Sequence, residues 1–596
     1  MIKTIASIVL GLACTAGSIC AGIGLSTPGE AVASATAPDE ADLQSGIDAA
    51  VARGEKRFVI PAGVHRLSSA LRLRDLHDFT FEGPSPQDSE RAVLIFTELT
   101  NGGIAVRDCS QLIIRGFTID FDPLPFTQGT IDAINRETGT LTYTVHEGYP
   151  DLSPRLISNR AHIFDSQTLA WKSEAPDIYA DSGRAISPRR AVLTFGPANR
   201  WQLDALLPGD YIVQNIRHEQ AALRVELTTD ITLSHVGIRS APGLAMVFRF
   251  VDGQNRFDHI VIAPGPTPDE ATIPRLLSTS ADGFNYAYAR TGPILENCDF
   301  SRMGDDSVNI HGIAFAVAEV GVDSVDGPYV TLIRPYGQEA FPSVMRVGDQ
   351  VHGLSQGNFD IIGETTIRGI SPARSADDQD HLRLATRLFP LHGTIRHTTL
   401  YRLRLDEPLA LSVGDFIEIP AIAAPGYVIK NNRFTQHRGR ALRLMSSHGV
   451  IEDNLIDGIK QAPITLGPEF VGFREAGWVS DIVVRGNIIK NSAFDPIMLG
   501  AASFAPGAIS VIYRGEAPDS PSPVNARHRG IRIENNTIEN VGGPGIHINQ
   551  AADVLIKGNT LRNTNQVPGA SQGNRYGLTT SHPIDYDHSE GVMIEP

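Results

Sequence analysis

The chain has 596 residues, of which 42% are apolar and only 20% charged, so it can bury a large core. Its formal net charge of −16, with no basic cluster and no phosphate-cradling glycine loop, argues against nucleic acid and anionic membranes as partners. Length alone suggests about four domains, but a solenoid grows without adding separate cores.

Residues 1–35 read as a secretory signal peptide. Lys3 supplies the positive start, Ile5 to Leu25 is nearly all apolar or small, and small-residue cleavage sites lie between Ala21 and Ala35. An uncleaved N-terminal anchor is the alternative, and no second membrane span follows. After processing only Cys109 and Cys298 remain. Two cysteines so far apart make no disulfide framework, and Cys298 is expected to be a buried, inert thiol.

Residues 45–53 are predicted to form a short helix capping the first coil of a solenoid. The first coils, within 36–125, carry inward-facing sets such as Leu112, Ile114, Phe117 and Ile119. A second set is Ile231, Leu233, Val236 and Ile238, and a third is Leu295, Cys298 and Phe300. The repeat is clearest after residue 426. Asn432, Asn454, Asn487, Asn536 and Asn559 occupy one position, with Ile429, Ile451, Val484, Ile533 and Ile556 three residues earlier. Phe434, Ile456, Ile489, Ile538 and Leu561 stand two residues later. This is period-2 alternation broken once by a corner, which turns the side chains on both sides of the bend inward. The corner Asn amides are expected to bond one to the next in a ladder. Asn432 and Asn454 stand 22 positions apart, and Asn536 and Asn559 stand 23 apart.

Two gaps are too long for single coils. Each contains apolar stretches divided by a Gly-Asp turn: Gly209-Asp210, Gly348-Asp349 and Gly414-Asp415. The gaps are predicted to be small antiparallel β-domains at 126–220 and 313–425. Coils are expected at 221–312 and 426–596, and the polar tail after about 565 either wraps the last coil or is disordered. The fold class is therefore all-β: a right-handed parallel β-helix, of the pectin-lyase-like solenoid kind, carrying two small inserted antiparallel β-barrel-like domains.

Two acidic motifs lie one coil apart: Ser280-Ala281-Asp282-Gly283-Phe284-Asn285 and Gly304-Asp305-Asp306-Ser307-Val308-Asn309-Ile310-His311-Gly312. The 24 positions from Asp282 to Asp306 would stack three carboxylates on adjacent coils. Clustered carboxylates are what glycoside hydrolysis needs. Aligning coils by pattern places Arg249, Asp282, Asn285, Asp305, Asp306, Asn309, His311 and Arg443 along one outward strip. Asn285, Asn309, His311, Arg249 and Arg443 are candidate sugar-binding groups. Glu469 is a further candidate on the outward parity, and Trp478 is a candidate stacking platform.

The motifs "SADGFN", "GDDSVNIHG" and "FDPLPFTQG" (Phe121 to Gly129) resemble those of glycoside hydrolase family 110. The resemblance spans roughly residues 40 to 565. It implies a parallel β-helix with inserted β-barrel domains and an exo-acting enzyme that removes terminal α-1,3-linked galactose, for example from blood-group B type glycans. It further implies inversion and no metal or other cofactor. The acidic trio also resembles the polygalacturonases, but Ser-Ala-Asp replaces their Asn-Thr-Asp, and their Gly-His-Gly and Arg-Ile-Lys motifs are absent. By that pattern Asp305 is the general acid, and Asp282 and Asp306 hold and activate the water, with the acid and base roles open to exchange. The expected partner is a terminal α-galactosyl oligosaccharide or glycoconjugate. The alternatives are an endo-acting polysaccharide hydrolase or lyase, the latter recruiting calcium and a Lys or Arg base, or a carbohydrate-binding β-helix without turnover.

Overall fold

The computed structural model describes residues 40–84, 91–217, 219–334, 340–373, 379–389, 395–396, 398–495, 499, 505–515, 523–567 and 582–596. The predicted signal peptide lies outside them. Among the described residues, no helix is long and apolar enough to cross a membrane.

The helix Glu40–Ala52 buries Leu43, Ile47 and Ala50, so it covers the first coil from further upstream than the 45–53 expected. Beyond it, the chain runs through three long parallel sheets of 12, 11 and 11 strands. Each coil contributes one strand to each sheet, and the pairing is parallel throughout, as in Leu295 with Ile429, Ile429 with Ile451, and Ile451 with Val484. The enclosed side chains form one continuous core from Leu43 to Ile556.

The corner ladder is continuous. The backbone N–H and side-chain amide of Asn432 both donate to Oδ1 of Asn454, at 2.9 and 3.0 Å. Asn454 repeats this onto Asn487, Asn487 onto Asn536, and Asn536 onto Asn559. The residue before each Asn is left-handed, and it is always Asn, Asp or Gly: Asn431, Asp453, Gly486, Asn535 and Gly558. Those residue types tolerate positive φ best. Upstream the column ends on Cys298, whose N–H donates 2.9 Å to Oδ1 of Asn432. Cys298 and Cys109 are both free and buried, and burial pushes the Cys298 thiol up to about 12, which keeps it protonated. Replacing Asn454 by Leu removes one acceptor that serves two buried donors of Asn432. An unmade buried hydrogen bond costs roughly 1–3 kcal/mol. The variant is expected to lose about 2–4 kcal/mol of stability, read from urea unfolding.

Strands between Phe126 and Asn215 form a seven-stranded antiparallel sheet, open rather than barrel-closed. Six strands between Phe315 and Glu418 close into an antiparallel barrel. The three Gly-Asp turns are built alike. Gly209, Gly348 and Gly414 have φ near +90 to +100°, and the following Asp accepts from the N–H three residues back: Leu207, Arg346 and Ser412, each at 2.7 Å. The tail does not simply trail off: Ile584–Asp587 and Glu590–Glu595 add strands to two of the three long sheets.

Candidate active site

The two acidic motifs sit on neighbouring coils in the register their spacing requires. The strand Phe284–Ala287 pairs with Val308–His311, setting Asn285 beside Asn309 and Phe284 beside Val308. Val308–His311 pairs in turn with Leu442–Met445, setting Asn309 beside Arg443. Apolar Phe284, Tyr286, Val308 and Ile310 fill the core, so the alternate residues point away from it. Residues 304 and 305 bend before the second strand begins, which lets adjacent Asp305 and Asp306 both reach the outer side. Gly304 serves close approach: a Cβ there would lie 2.6 Å from the Ser280 carbonyl oxygen of the coil before.

Asp282, Asp305 and Asp306 each bring a carboxylate oxygen within 4.8 Å of the others. Asp306 is 1% exposed and Asp282 8%, while the Asp305 side chain keeps 18% of its surface. Arginines surround the trio. Arg217 and Arg438 both pair with Asp305, the Nη1 of Arg438 lying 2.6 Å from Oδ1. Arg440 grips Asp306 through its backbone N–H at 2.7 Å, Nε at 2.9 Å and Nη2 at 3.0 Å. Gly439 lies between these two arginines, where a Cβ would meet the Asp305 carbonyl carbon at 2.5 Å. Any side chain there would force the Asp305–Asp306 backbone or its own strand to shift.

The three acids accordingly differ. Burial, with the negative charges of Asp305 and Asp306 beside it, pushes the Asp282 carboxyl up to about 7. Burial acts the same way on Asp305 but is outweighed by Arg217, Arg438, Arg160 and Arg440, which hold it well below the usual carboxylate range. The arrangement therefore keeps a proton on Asp282 near neutrality and a negative charge on Asp305. Among the described residues these carboxylates are the one group close enough to chelate a cation. Guanidinium groups already bond the oxygens of Asp305 and Asp306, so the donor set fits a cation poorly.

Most of the predicted sugar-binding residues are brought to this strip but are engaged with protein. Asn285 donates to Oδ2 of Asp282 at 2.8 Å and accepts from Nη2 of Arg249 at 2.7 Å. The two form a layer that orients Asp282. Arg443 reaches Glu475 at 2.5 Å and Glu469 at 3.1 Å. Glu469 is bridged by Arg440, Arg443 and Arg514, so it anchors the arginines. His311 donates from Nδ1 to the Gly312 carbonyl at 2.8 Å, and burial lowers its imidazole to about 4, so it is neutral. Asn309 keeps a buried Oδ1 without a hydrogen-bond partner. Trp478 differs from expectation. It is 8% exposed, with Tyr513 stacked on its ring at 5.5 Å and Phe470 and His528 packed against it, so it is built into the core rather than laid open as a platform.

Arg217, Arg438, Arg440, Asp177 and Glu475 belong to the site and were not expected there. The coil register that pairs Val308 with Leu442 puts Arg440 next to Asp306, so the Arg-Gly-Arg run was open to the same alignment that found Arg443. Arg217 and Asp177 come from outside the coils and follow no repeat.

No family profile matches the chain. The chain is similar over most of its length to curated α-1,3-galactosidases. It is 23% identical over 521 residues to α-1,3-galactosidase A of Bacteroides fragilis, covering 85% of this chain and 77% of that protein. It is 23% identical over 484 residues to α-1,3-galactosidase B of Parabacteroides distasonis, covering 78% and 73%. Among solved structures, the A-module of the mannuronan C-5 epimerase AlgE4 from Azotobacter vinelandii aligns with 92% of this chain and 95% of its own, at 12% identity and a TM-score of 0.34.

Proposed function

We propose that the protein is a glycoside hydrolase that removes terminal α-1,3-linked galactose from oligosaccharides, working outside the cytoplasm after export through residues 1–35. The observation that carries this reading is the stacked trio Asp282, Asp305 and Asp306, two of them clamped by arginines and one set to hold a proton, in a chain similar to α-1,3-galactosidases. Asp282 is the general acid. It gives its proton to the glycosidic oxygen as the bond to the galactose C1 breaks. Asp305 orients a water, and Asp306 draws off its proton as its oxygen attacks C1. This exchanges the roles suggested by the polygalacturonase pattern, because Arg217 and Arg438 make Asp305 a poor proton donor.

An inverting acid–base pair usually stands about 6.5–9.5 Å apart. The oxygens here approach within 4.8 Å, a spacing at which two carboxylates can share one water. The reading with inversion has β-galactose formed first, and proton NMR of fresh product decides the point. α-Galactose appearing first would assign retention instead. The primary test is release of galactose from an α-1,3-galactosyl disaccharide; no release under conditions where the protein is folded would overturn the reading. Activity is expected to fall as pH rises through about 7, where Asp282 loses its proton. A kcat/KM profile from pH 4 to 9 checks this.

A further inference from the structure

The anion at Asp305 is tied to the first inserted sheet by an unbroken chain of charges. Arg438 lies between two carboxylates: its Nη1 bonds Asp305 at 2.6 Å and its Nε bonds Asp177 at 2.7 Å. Asp177 directly precedes the strand Ile178–Tyr179 of that sheet. Its second oxygen faces Nζ of Lys460 at 3.4 Å, and Lys460 lies 3.8 Å from Asp495. Asp177, Arg438 and Lys460 are all buried. The sheet is fastened to the coils next to this chain. The indole N–H of Trp171 donates 2.8 Å to the Gln436 carbonyl, and Arg302 donates 2.6 Å to that of Leu169. From the end of the interior strand Tyr211–Asn215, Asn215 donates 3.0 Å to the carbonyl of Ser280, two residues before Asp282.

A surface-wall role for this sheet would not need a buried carboxylate on the far side of an active-site arginine. A buried ion pair costs desolvation that its own attraction rarely exceeds, so its presence calls for a role beyond stability. We infer that Asp177 is a positioning residue for the proposed hydrolysis: from the inserted sheet it fixes Arg438 in place and balances its charge, so that Arg438 holds Asp305 ionised without drawing the proton from Asp282. The inference rests on the glycosidase reading for the meaning of the site, but not for its measurement.

Other charged groups face the trio and set the background. On the coils these are Arg440, Arg443, Glu469, Glu475 and His311, with Arg249 beneath Asp282. From the inserted sheet and the segment that follows it come Arg160, His162 and Arg217. Asp177 also acts on Arg160 and His162, whose charged forms it favours, so both belong to the network that its replacement perturbs.

The experiment compares Asp177→Asn and Asp177→Glu with the parent protein. Carboxyl-carbon NMR of protein labelled at aspartate follows the midpoint of Asp282, identified by its loss in Asp282→Asn. Asp177 reaches Asp282 through Arg438 and Asp305, and removing one negative charge at the end of such a buried chain moves a neighbouring midpoint on the order of one pH unit. Asp177→Asn is expected to shift the Asp282 midpoint down by about that much. The alkaline limb of kcat/KM should move with it, and kcat should fall at least about tenfold with KM little changed. Asp177→Glu, which keeps the charge, should leave midpoint and limb near the parent values. Lys460→Met, which removes the opposite charge, should shift the midpoint up, and it decides the matter if Asp177→Asn does not fold. An Asp282 midpoint unmoved in the folded variants would overturn the inference. A parent protein that titrates and shifts as described but releases no galactose would instead overturn the glycosidase reading, leaving the electrostatic link standing.

Discussion

Replacing Asp282 by Asn is expected to abolish turnover and raise stability together. The loss of activity follows from the missing proton: removal of general acid–base help alone costs about 10²–10⁴-fold in rate. The gain follows from burial. The unfolded chain ionises this carboxyl at about 3.9, the unperturbed value. The folded protein resists until about 7. A folded value raised above the unfolded one destabilises the protein progressively between those two pH values and fully above the higher. Asn has nearly the same shape and no charge to bury, so it escapes that penalty. Against the parent, the Asp282→Asn melting temperature should be near equal at pH 4 and clearly higher at pH 8. Asp305→Asn should lose a similar factor in kcat but should also lose stability, because Arg217 and Arg438 are left facing an amide. A structural role for Asp282 predicts the opposite: stability falling with activity.

The sequence carried the coils more openly than the site. Five corner asparagines in register announce a stacked ladder, because each amide needs a partner one coil away, and Asn432 and Asn454 do bond as that requires. The [Asn/Asp/Gly]-Asn doublet was an additional signal, set by the left-handed residue before each corner. The acid trio was legible for the same reason, since a spacing of one coil brings residues together whatever the loops do. What the repeat cannot report is who else arrives. Arg217 and Asp177 reach the acids from outside the coils, and their sequence distance to Asp305 says nothing of proximity. Outward parity is also silent on whether a polar group is free. Asn285, Arg443 and Glu469 lie where the alternation puts them, yet they bond protein groups, which the pattern of one strand does not reveal. Trp478 was misread because an aromatic ring beside a polar strip packs equally well into the core that the barrel shares with the coils.

Arg440 is the residue whose removal should cost the fold most. It bonds both Asp306 and Glu469, which Arg443 bridges less closely at 3.8 and 3.1 Å, and all three side chains are at least nine-tenths buried. In Arg440→Leu both carboxylates stay buried without their main partner, although Arg443 and Arg514 still reach Glu469. Breaking a buried pair from one side costs about 3–5 kcal/mol. The pH dependence separates this from a simple packing defect. In the parent, burial alone would raise the Glu469 carboxyl, but Arg440, Arg443 and Arg514 outweigh it and bring the group down to about 2. A lowered folded value contributes stability that is present above the unfolded value of about 4.3 and lost as pH falls through about 2. Without Arg440 that contribution shrinks, because only Arg443 and Arg514 then offset the burial of Glu469. The difference in melting temperature between Arg440→Leu and the parent should therefore be largest above about pH 5 and narrow as pH falls from about 4 towards 2. A deficit that stays constant across that range would mean that lost packing, rather than the stranded carboxylates, is what the arginine prevents.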